Sequence, residues 1–335
     1  MVTDTAHRHT HAVPVHEPPA AIRATGIIAV LTVAIALVAI AFALPAARTA
    51  PHAVPIGAAG PQSASGEVAA TLQKQAPGAF TITYYPGEEA LRDAIRNRDV
   101  YGGIAFGPDG PRLLTATGGS PMVAQMLTQM ANGIAAKTGV PLATEDLAPP
   151  TVQDPRGAGL AASALPITLA GLLPAVALVL ALKREVWTRF TAVVIFAGVA
   201  GVSIAALLRY VLGSIDANFW GVAGGLSLGI LAAGLTMLGL GSLFGRFGLA
   251  LGAVAALLIG NPLSGLTSAP EMLPTGWGQL GQWLPQGANA TLLRSTAFFD
   301  GAGGALPIVV LTCWSLLGIA LVVTAALTIE RRGAR

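Results

Sequence analysis

The sequence predicts an α-helical polytopic membrane protein. It expects six transmembrane helices, a small α/β extracytoplasmic domain between helices 1 and 2, and a re-entrant helical pair before helix 6. Three observations carry this expectation. First, only 10% of the 335 residues are charged and 53% are hydrophobic, whereas globular chains carry about 25% charged residues. Second, six stretches come near the roughly 20 apolar residues that a helix needs to cross a hydrocarbon core. Third, the lysines and arginines of the short loops fall on one side of those stretches.

The stretches are residues 22–44, 160–182, 190–212, 219–243, 249–264 and 305–329. The fifth is short and Gly-rich at its end. The first has small residues after it, "ALPAARTA", that would suit signal cleavage. Its apolar run exceeds the 7–15 residues of a signal sequence and about 20 residues precede it, so the favoured reading is an uncleaved anchor.

Orientation follows from loop charge. Arg8 and Arg23 precede span 1. Lys183, Arg184 and Arg189 lie between spans 2 and 3, Arg246 between spans 4 and 5, and Arg331, Arg332 and Arg335 after span 6. That side is assigned to the cytoplasm. The opposite side carries only Arg294 in its two short loops. The expectation is a multi-pass protein of the plasma membrane with both termini cytoplasmic, residues 1–21 and 330–335 being tails. His7, His9, His11 and His16 in the first tail could hold a transition metal weakly, although incidental histidines in a disordered tail are commoner.

Residues 45–159 form the outer domain. "PAARTAPHAVPIGAAGPQSAS" reads as a tether without periodicity, "EVAATLQKQ" as a helix and "FTITYY" as a strand. "EEALRDAIRNR" reads as a helix with Leu91 and Ile95 on one face. "VYGGIAF" and "RLLTATG" read as strands. "SPMVAQMLTQMANGIAAKTG" reads as a helix capped by Ser120, with Pro121 at its first position and Gly139 at its end. Three strands and three helices make a small α/β unit. Glu88, Glu89 and Asp93 alternate with Arg92, Arg96 and Arg98, as on a solvated helix face. Met122, Met126 and Met130 form a stripe that could meet a soft metal or a greasy ligand, with core packing the commoner reason.

No catalytic constellation, cofactor motif or metal site is read here, and no enzyme activity is expected. Cys313 is the only cysteine, which excludes an intrachain disulfide or a CxxC pair. No glycine precedes Lys74, Lys137 or Lys183, so the chain has no P-loop. No Lys/Arg block points to nucleic acid. No Asp, Glu, His or Lys sits at the middle of a span, which counts against a proton-driven antiporter. Arg209 near the end of span 3 is read as snorkelling rather than contacting substrate. Gly221, Gly225 and Gly229 recur every four residues along span 4. They allow close helix packing within one chain or, as the less common alternative, a dimer seam.

The segment 265–304 is neither a plain membrane helix nor a hydrophilic turn. A helix of about three turns fits between Pro274 and Pro285, with Leu273, Trp277, Leu280 and Leu284 on one face and Thr275, Gln279 and Gln282 on the other. Such a helix is too short to span and is read as dipping in from outside, with Trp277 and Trp283 as interfacial anchors. A second short helix, "ANATLLRSTAFF", follows.

These residues carry a resemblance. The stretches "NPLSGLTSAPEMLP..W..LGQWLPQGANATLLRS" and "AIRNRDVYGGIAF", together with the span pattern, resemble the ABC-2 type transporter permeases, and among them the phage-infection-protein-like membrane proteins. The likeness covers most of the chain past residue 66. It implies an exporter half, homodimeric or heterodimeric, for a hydrophobic or amphiphilic compound, in contact with membrane lipid. It also implies a separate P-loop ATPase subunit docking on the cytoplasmic side at "KREVWTR", which makes Lys183, Arg184, Glu185 and Arg189 the candidate contacts. Leu273, Trp277, Leu280 and Leu284 would form a re-entrant gate. The loop is shorter than the family pattern, and the residues before span 1 do not form an amphipathic helix. The contrasting expectation is a non-transporting surface protein whose outer domain binds envelope material or a partner.

Overall fold

The computed structural model describes residues 19–333 apart from 109, 140, 141 and 184. The histidine tail and Arg184 lie outside the described residues. The first helix, α1 (Ala20–Ala47), is apolar over most of its length and long enough to cross a membrane. Its first part, up to Ile40, is a unit of its own, and the remainder of the chain from Ala41 is a second.

The second unit begins with a five-stranded sheet. Strand β1 (Val54–Ala59) is followed by α2 (Gln62–Gln75), β2 (Phe80–Tyr85), α3 (Glu88–Arg96), β3 (Gly102–Gly107), β4 (Gly110–Thr115), α4 (Pro121–Thr138) and β5 (Ala143–Asp146). The order across the sheet is β2-β1-β3-β4-β5. Only the β3–β4 pair is antiparallel. Two strands exceed the expected three. "VPIGAA" is no tether but an inner strand of the sheet, buried from Ile56 to Ala59. Its small residues hide it from a search for alternating bulk, and they are required where they stand. A Cβ at Gly57 would collide with Leu91, and one at Gly103 would collide with the Gly57 carbonyl across the strand pair. The polar β5 is a short edge strand. Helix α4 has the ends its sequence predicts: the Ser120 hydroxyl accepts from the Val123 amide, and Gly139 closes the helix at φ 71°. Met126 and Met130 pack against the sheet core, whereas Met122, the first of the stripe, is exposed.

The rest of the chain is helical. A short α5 (Ala158–Ala162) leads into α6 (Ala164–Ala181). Next come α7 (Val186–Ala206), ending in a π turn at Leu207–Val211, and α8 (Phe219–Val254), ending in a second at Ala255–Gly260. Then come a 3-10 turn (Pro270–Met272), α9 (Trp277–Gln282), α10 (Pro285–Phe298) and α11 (Ala305–Gly333). Among the described residues, five segments are long and apolar enough to cross a membrane: Ala20–Ala47, Ala158–Ala181, Val186–Val211, Phe219–Gly260 and Ala305–Arg331. The architecture is that of a mostly helical, polytopic membrane protein.

The fourth segment has 42 residues. Held straight it would reach roughly 63 Å, about twice a hydrocarbon core. It does not run straight. Gly245 has φ 61° and ψ −138°, a backbone state open essentially to glycine alone. Beyond it the chain folds back on itself: Gly248 lies against Leu240, Gly241 against Leu249, and Gly252 against Met237. Gly241 and Gly245 therefore belong to a helical hairpin, not to the packing face that Gly221, Gly225 and Gly229 begin.

Contacts fix the direction of every arm. Gly171 of α6 meets Ala233, and Val179 meets Gly241, so α6 runs parallel to the first arm of α8. Gly201 meets Ser227 and Gly234 meets Val193, so α7 runs antiparallel to it. Gly318 meets Leu235 and Gly239 meets Leu321, so α11 is parallel to it again. Both α8 and α11 start at the end that carries the α/β domain. Asp154 ties that end together by accepting from Ser214 Oγ (2.7 Å) and from the amides of Gly159 and Ala158. The hairpin at Gly245 sits at the opposite end. Residues 261–304 have thereby returned to the α/β domain. Aromatic residues mark both ends, with Tyr210, Phe219 and Trp220 at one and Trp187 and Phe190 at the other. Arg209 lies over the Tyr210 ring, a position in keeping with a snorkelling role.

Candidate functional site

The segment from Asn261 to Gly304 is the joint between the helical bundle and the α/β domain. Its helix α9 has six residues, not three turns. Glycines explain why it is short and where it lies. Gly278 and Gly281 face the protein, and a Cβ on either would strike the carbonyl of Pro270 or Leu263. The expected apolar face does not face inward as a set: Leu273 is buried, whereas Leu280 is 51% exposed and Trp283 beside it 63% exposed. Helix α10 is buried almost throughout and packs on α8. The face begun by glycines is filled from within the chain, with Leu292 against Gly225 and Asn289 against Gly229; Gly221 abuts the Asn218 side chain that caps the helix.

Irregular backbone at such a depth needs partners for its carbonyls. Arg294, 5% exposed, donates to the carbonyls of Gly265 (2.9 Å) and Leu266 (2.5 Å). Gln282 donates to the Ser264 carbonyl and accepts from the Thr291 hydroxyl. Trp314 Nε1 of α11 donates to the Trp283 carbonyl at 2.8 Å. Burial pushes the Arg294 pKa down to about 10, still well above neutrality, so the guanidinium stays charged.

The same segment completes the α/β domain. Ala269 and Met272 join the core that includes Val54, Leu113 and Val123. Phe298, Phe299 and Ala302 join the core that includes Leu91, Ile95 and Leu114. The amides of Ala50 and His52 donate to the carbonyls of Met272 and Glu271. Tyr101 donates its hydroxyl to Glu271 Oε2 at 2.8 Å. Burial, and then the Glu271 charge, raise the Tyr101 pKa, so it stays a donor. Arg98 Nη1 donates to the Thr291 carbonyl (3.0 Å) and Ser295 Oγ (2.5 Å), and its guanidinium lies 5.2 Å from the centre of the Phe299 ring. Burial lowers the Arg98 pKa.

Between these contacts lies a cavity of about 660 Å³. Arg98, Tyr101 and Glu271 line its domain side, and Trp283, Leu306 and Val310 line its α11 side. Of the four expected gate residues only Leu273 lines it; Trp277, Leu280 and Leu284 do not. The face of the α9 region turned toward it carries Thr275, Gln279 and Gln282, the polar side opposite the expected gate.

The residues expected to meet an ATPase are at the far end. Lys183 and Glu185 lie in the α6–α7 turn. Arg189 is only 2% exposed; it donates to Ser242 Oγ and the Lys183 carbonyl and braces the turn against α8. Among the described residues no group of three or more His, Cys, Asp or Glu could hold a metal.

Sequence reasoning missed Arg98, Tyr101, Glu271 and Arg294. A signal for two of them was present. From Asn261 to Phe299, Glu271 is the sole acid and Arg294 the sole base, and isolated charges in an apolar segment need local partners. Comparison with family models, with curated proteins and with solved structures finds no match for this chain.

Proposed function

We propose that this chain is the membrane-spanning half of an ABC-2 type exporter, moving a hydrophobic or amphiphilic compound outward with energy from a separate P-loop ATPase subunit. The observation that carries the reading is the hairpin at Gly245. It sends the chain back to the α/β end, where α9 and α10 cap the bundle beside a cavity, while the Lys183–Glu185 turn is left at the other end. In this reading one end meets the compound and the other meets a cytoplasmic partner. In this reading the α/β domain is extracytoplasmic, both termini are cytoplasmic, and two halves, alike or different, make the transporter. Lys183, Arg184 and Glu185 touch the ATPase, and Arg189 holds their turn in shape. The chain performs no covalent chemistry itself.

The test is purification from native membrane followed by transport in vesicles. A co-purifying P-loop ATPase and ATP-dependent movement of an amphiphile support the reading. A chain that never associates with an ATPase, and whose vesicles move nothing, overturns it. A second reading, an anchored surface protein that transports nothing, is favoured by one observation. The α/β domain shares both of its cores with residues flanking α9 and α10, Ala269 and Met272 before them and Phe298, Phe299 and Ala302 at their end, as befits a rigid display platform.

A further inference from the structure

Docking does not account for three features of the cavity beside Arg98. The first is its charge. Only Nη1 of Arg98 donates to the protein; Nε and Nη2 find no acceptor, and no carboxylate pairs with the guanidinium, among the described residues. The one acid in the cavity wall, Glu271, is occupied by the Tyr101 hydroxyl. Arg98 thus keeps Nε and Nη2 unused in a part-buried setting, with only the field of the nearby Glu271 carboxylate, not a direct ion pair, to offset its charge.

The second feature is backbone. Arg98 follows the C-cap Asn97 of α3 and has φ 66°. Glycine or asparagine is the ordinary occupant of that position, and an arginine there holds its guanidinium at the cavity against a local backbone cost.

The third is the gradient of the walls. Polar groups (Arg98, Tyr101, Glu271, Gln282) give way to Trp283, Leu306 and Val310. Leu306 and Trp283 are both exposed, and Leu306 stands in the first turn of a helix apolar enough to cross a membrane. The volume lies within the usual range for small-molecule sites.

We propose that this cavity seats a single-chain anionic amphiphile. Its oxyanion head lies against Arg98 and its hydrocarbon tail runs past Trp283 toward Leu306 and Val310. A guanidinium offers a planar fork of donors, and a phosphate or carboxylate head accepts from two of them at once. The Nε and Nη2 edge left free by docking is that fork. The tail leaves where the wall is apolar and open, level with the start of α11. The proposal deepens the exporter reading by naming the class of its cargo, and rests on it only for what happens after binding.

Binding is therefore measured on the purified full chain without any ATPase. Radiolabelled dodecyl phosphate is applied in maltoside micelles, and dodecyltrimethylammonium and inorganic phosphate serve as competitors. Saturable retention of dodecyl phosphate is expected, displaced by neither competitor at equal concentration. Arg98→Gln is expected to weaken it tenfold or more, and Arg98→Lys no more than about threefold. Both variants lose Nη1, the nitrogen that docks on Thr291 and Ser295, so their difference reads the charge. Leu306→Trp, which leaves Arg98 untouched, is expected to weaken binding of the dodecyl chain by narrowing the tail path. Equal binding by Arg98→Gln and wild type in folded, monodisperse protein overturns the proposal. So does displacement by inorganic phosphate alone, which would make the site one for a free anion. A chain that binds in this way yet associates with no ATPase refutes the exporter reading and leaves this one standing. A chain that exports without Arg98-dependent binding does the reverse.

Discussion

Arg294 shows how one side chain lets an irregular segment exist. Its guanidinium replaces the helical partners that the Gly265 and Leu266 carbonyls lack. Arg294→Leu keeps the stem and removes both donors, leaving two buried acceptors unmade at a cost of about 1–3 kcal/mol. A lower midpoint in thermal or chemical unfolding of the purified chain is the expected result, and an unchanged midpoint would show that water serves those carbonyls equally well. At the other edge of the α/β domain, Arg92 donates to both Glu88 (2.6 Å) and Glu145 (2.6 Å), and Arg112 lies near both acids. The hydrogen bond from Arg92, more than any Coulombic contact, holds the Glu145 carboxyl below its usual range. A carboxylate whose folded pKa is depressed adds stability that is full above its unfolded value, near 4, and is lost as pH falls through the folded value. Wild type is thus expected to lose thermal stability between about pH 5 and pH 3 more steeply than Glu145→Gln. Parallel acid profiles for the two proteins would dissociate the pair from stability. The group is part-exposed, and the effect is accordingly modest.

Among elements, those with strong local signals are legible in the sequence and those built from small residues are not. α4 announces itself through Ser120, Pro121 and Gly139, and β2 through "FTITYY". β1 is silent because its function is to be thin, Gly57 sitting beneath Leu91 where any side chain would collide. The α9 region misleads for a related reason. Its apolar spacing suggests a face, yet contact is made by Gly278 and Gly281, whose lack of a side chain is what lets backbone meet backbone. Likewise the joint, Tyr101 on Glu271 and Arg98 on Thr291 and Ser295, pairs residues 170 or more positions apart, beyond the reach of periodicity. The glycine at the turn of α8 gives a direct test. Gly245→Ala forces a side chain into a conformation L-residues avoid and is expected to cost about 1 kcal/mol or more. Gly248→Ala would meet the Leu240 carbonyl and should be worse, whereas Gly224→Ala, with nothing within 4 Å of its new Cβ, should be neutral. Yield of monodisperse protein and its unfolding temperature rank the three, and equal behaviour would remove the hairpin's claim to be tightly closed.

On the scale of the whole molecule, the hairpin and the charge pattern make one joint statement about topology. α8 and α11 run parallel and both begin beside the α/β domain, so the chain has to travel back between them, and Gly245 is where it turns. Lys183, Arg189 and Arg246 all fall at the turn end, while the opposite end holds Asp154 and the aromatic group of Tyr210, Phe219 and Trp220. Positive charge in short loops is retained on the cytoplasmic side of bilayers, and the proposed exporter reading accordingly has the α/β domain outside. Replacing Cys313, the exposed native thiol, with alanine gives a background on which single cysteines report sidedness. Val152, 97% exposed near the α/β end, and Trp187, exposed at the other end, are suitable positions. A membrane-impermeant maleimide is expected to label Val152→Cys in intact cells, and Trp187→Cys only after the membrane is opened. Arg246→Cys, one residue past the turn, should behave as Trp187→Cys does. Labelling of Arg246→Cys from outside, with Trp187→Cys protected, would mean that the fourth span does not reverse where Gly245 stands. The opposite pattern at all three positions would keep the hairpin and invert the protein in the membrane, placing the cavity beside Arg98 on the cytoplasmic side, where an exporter would load its cargo instead of releasing it.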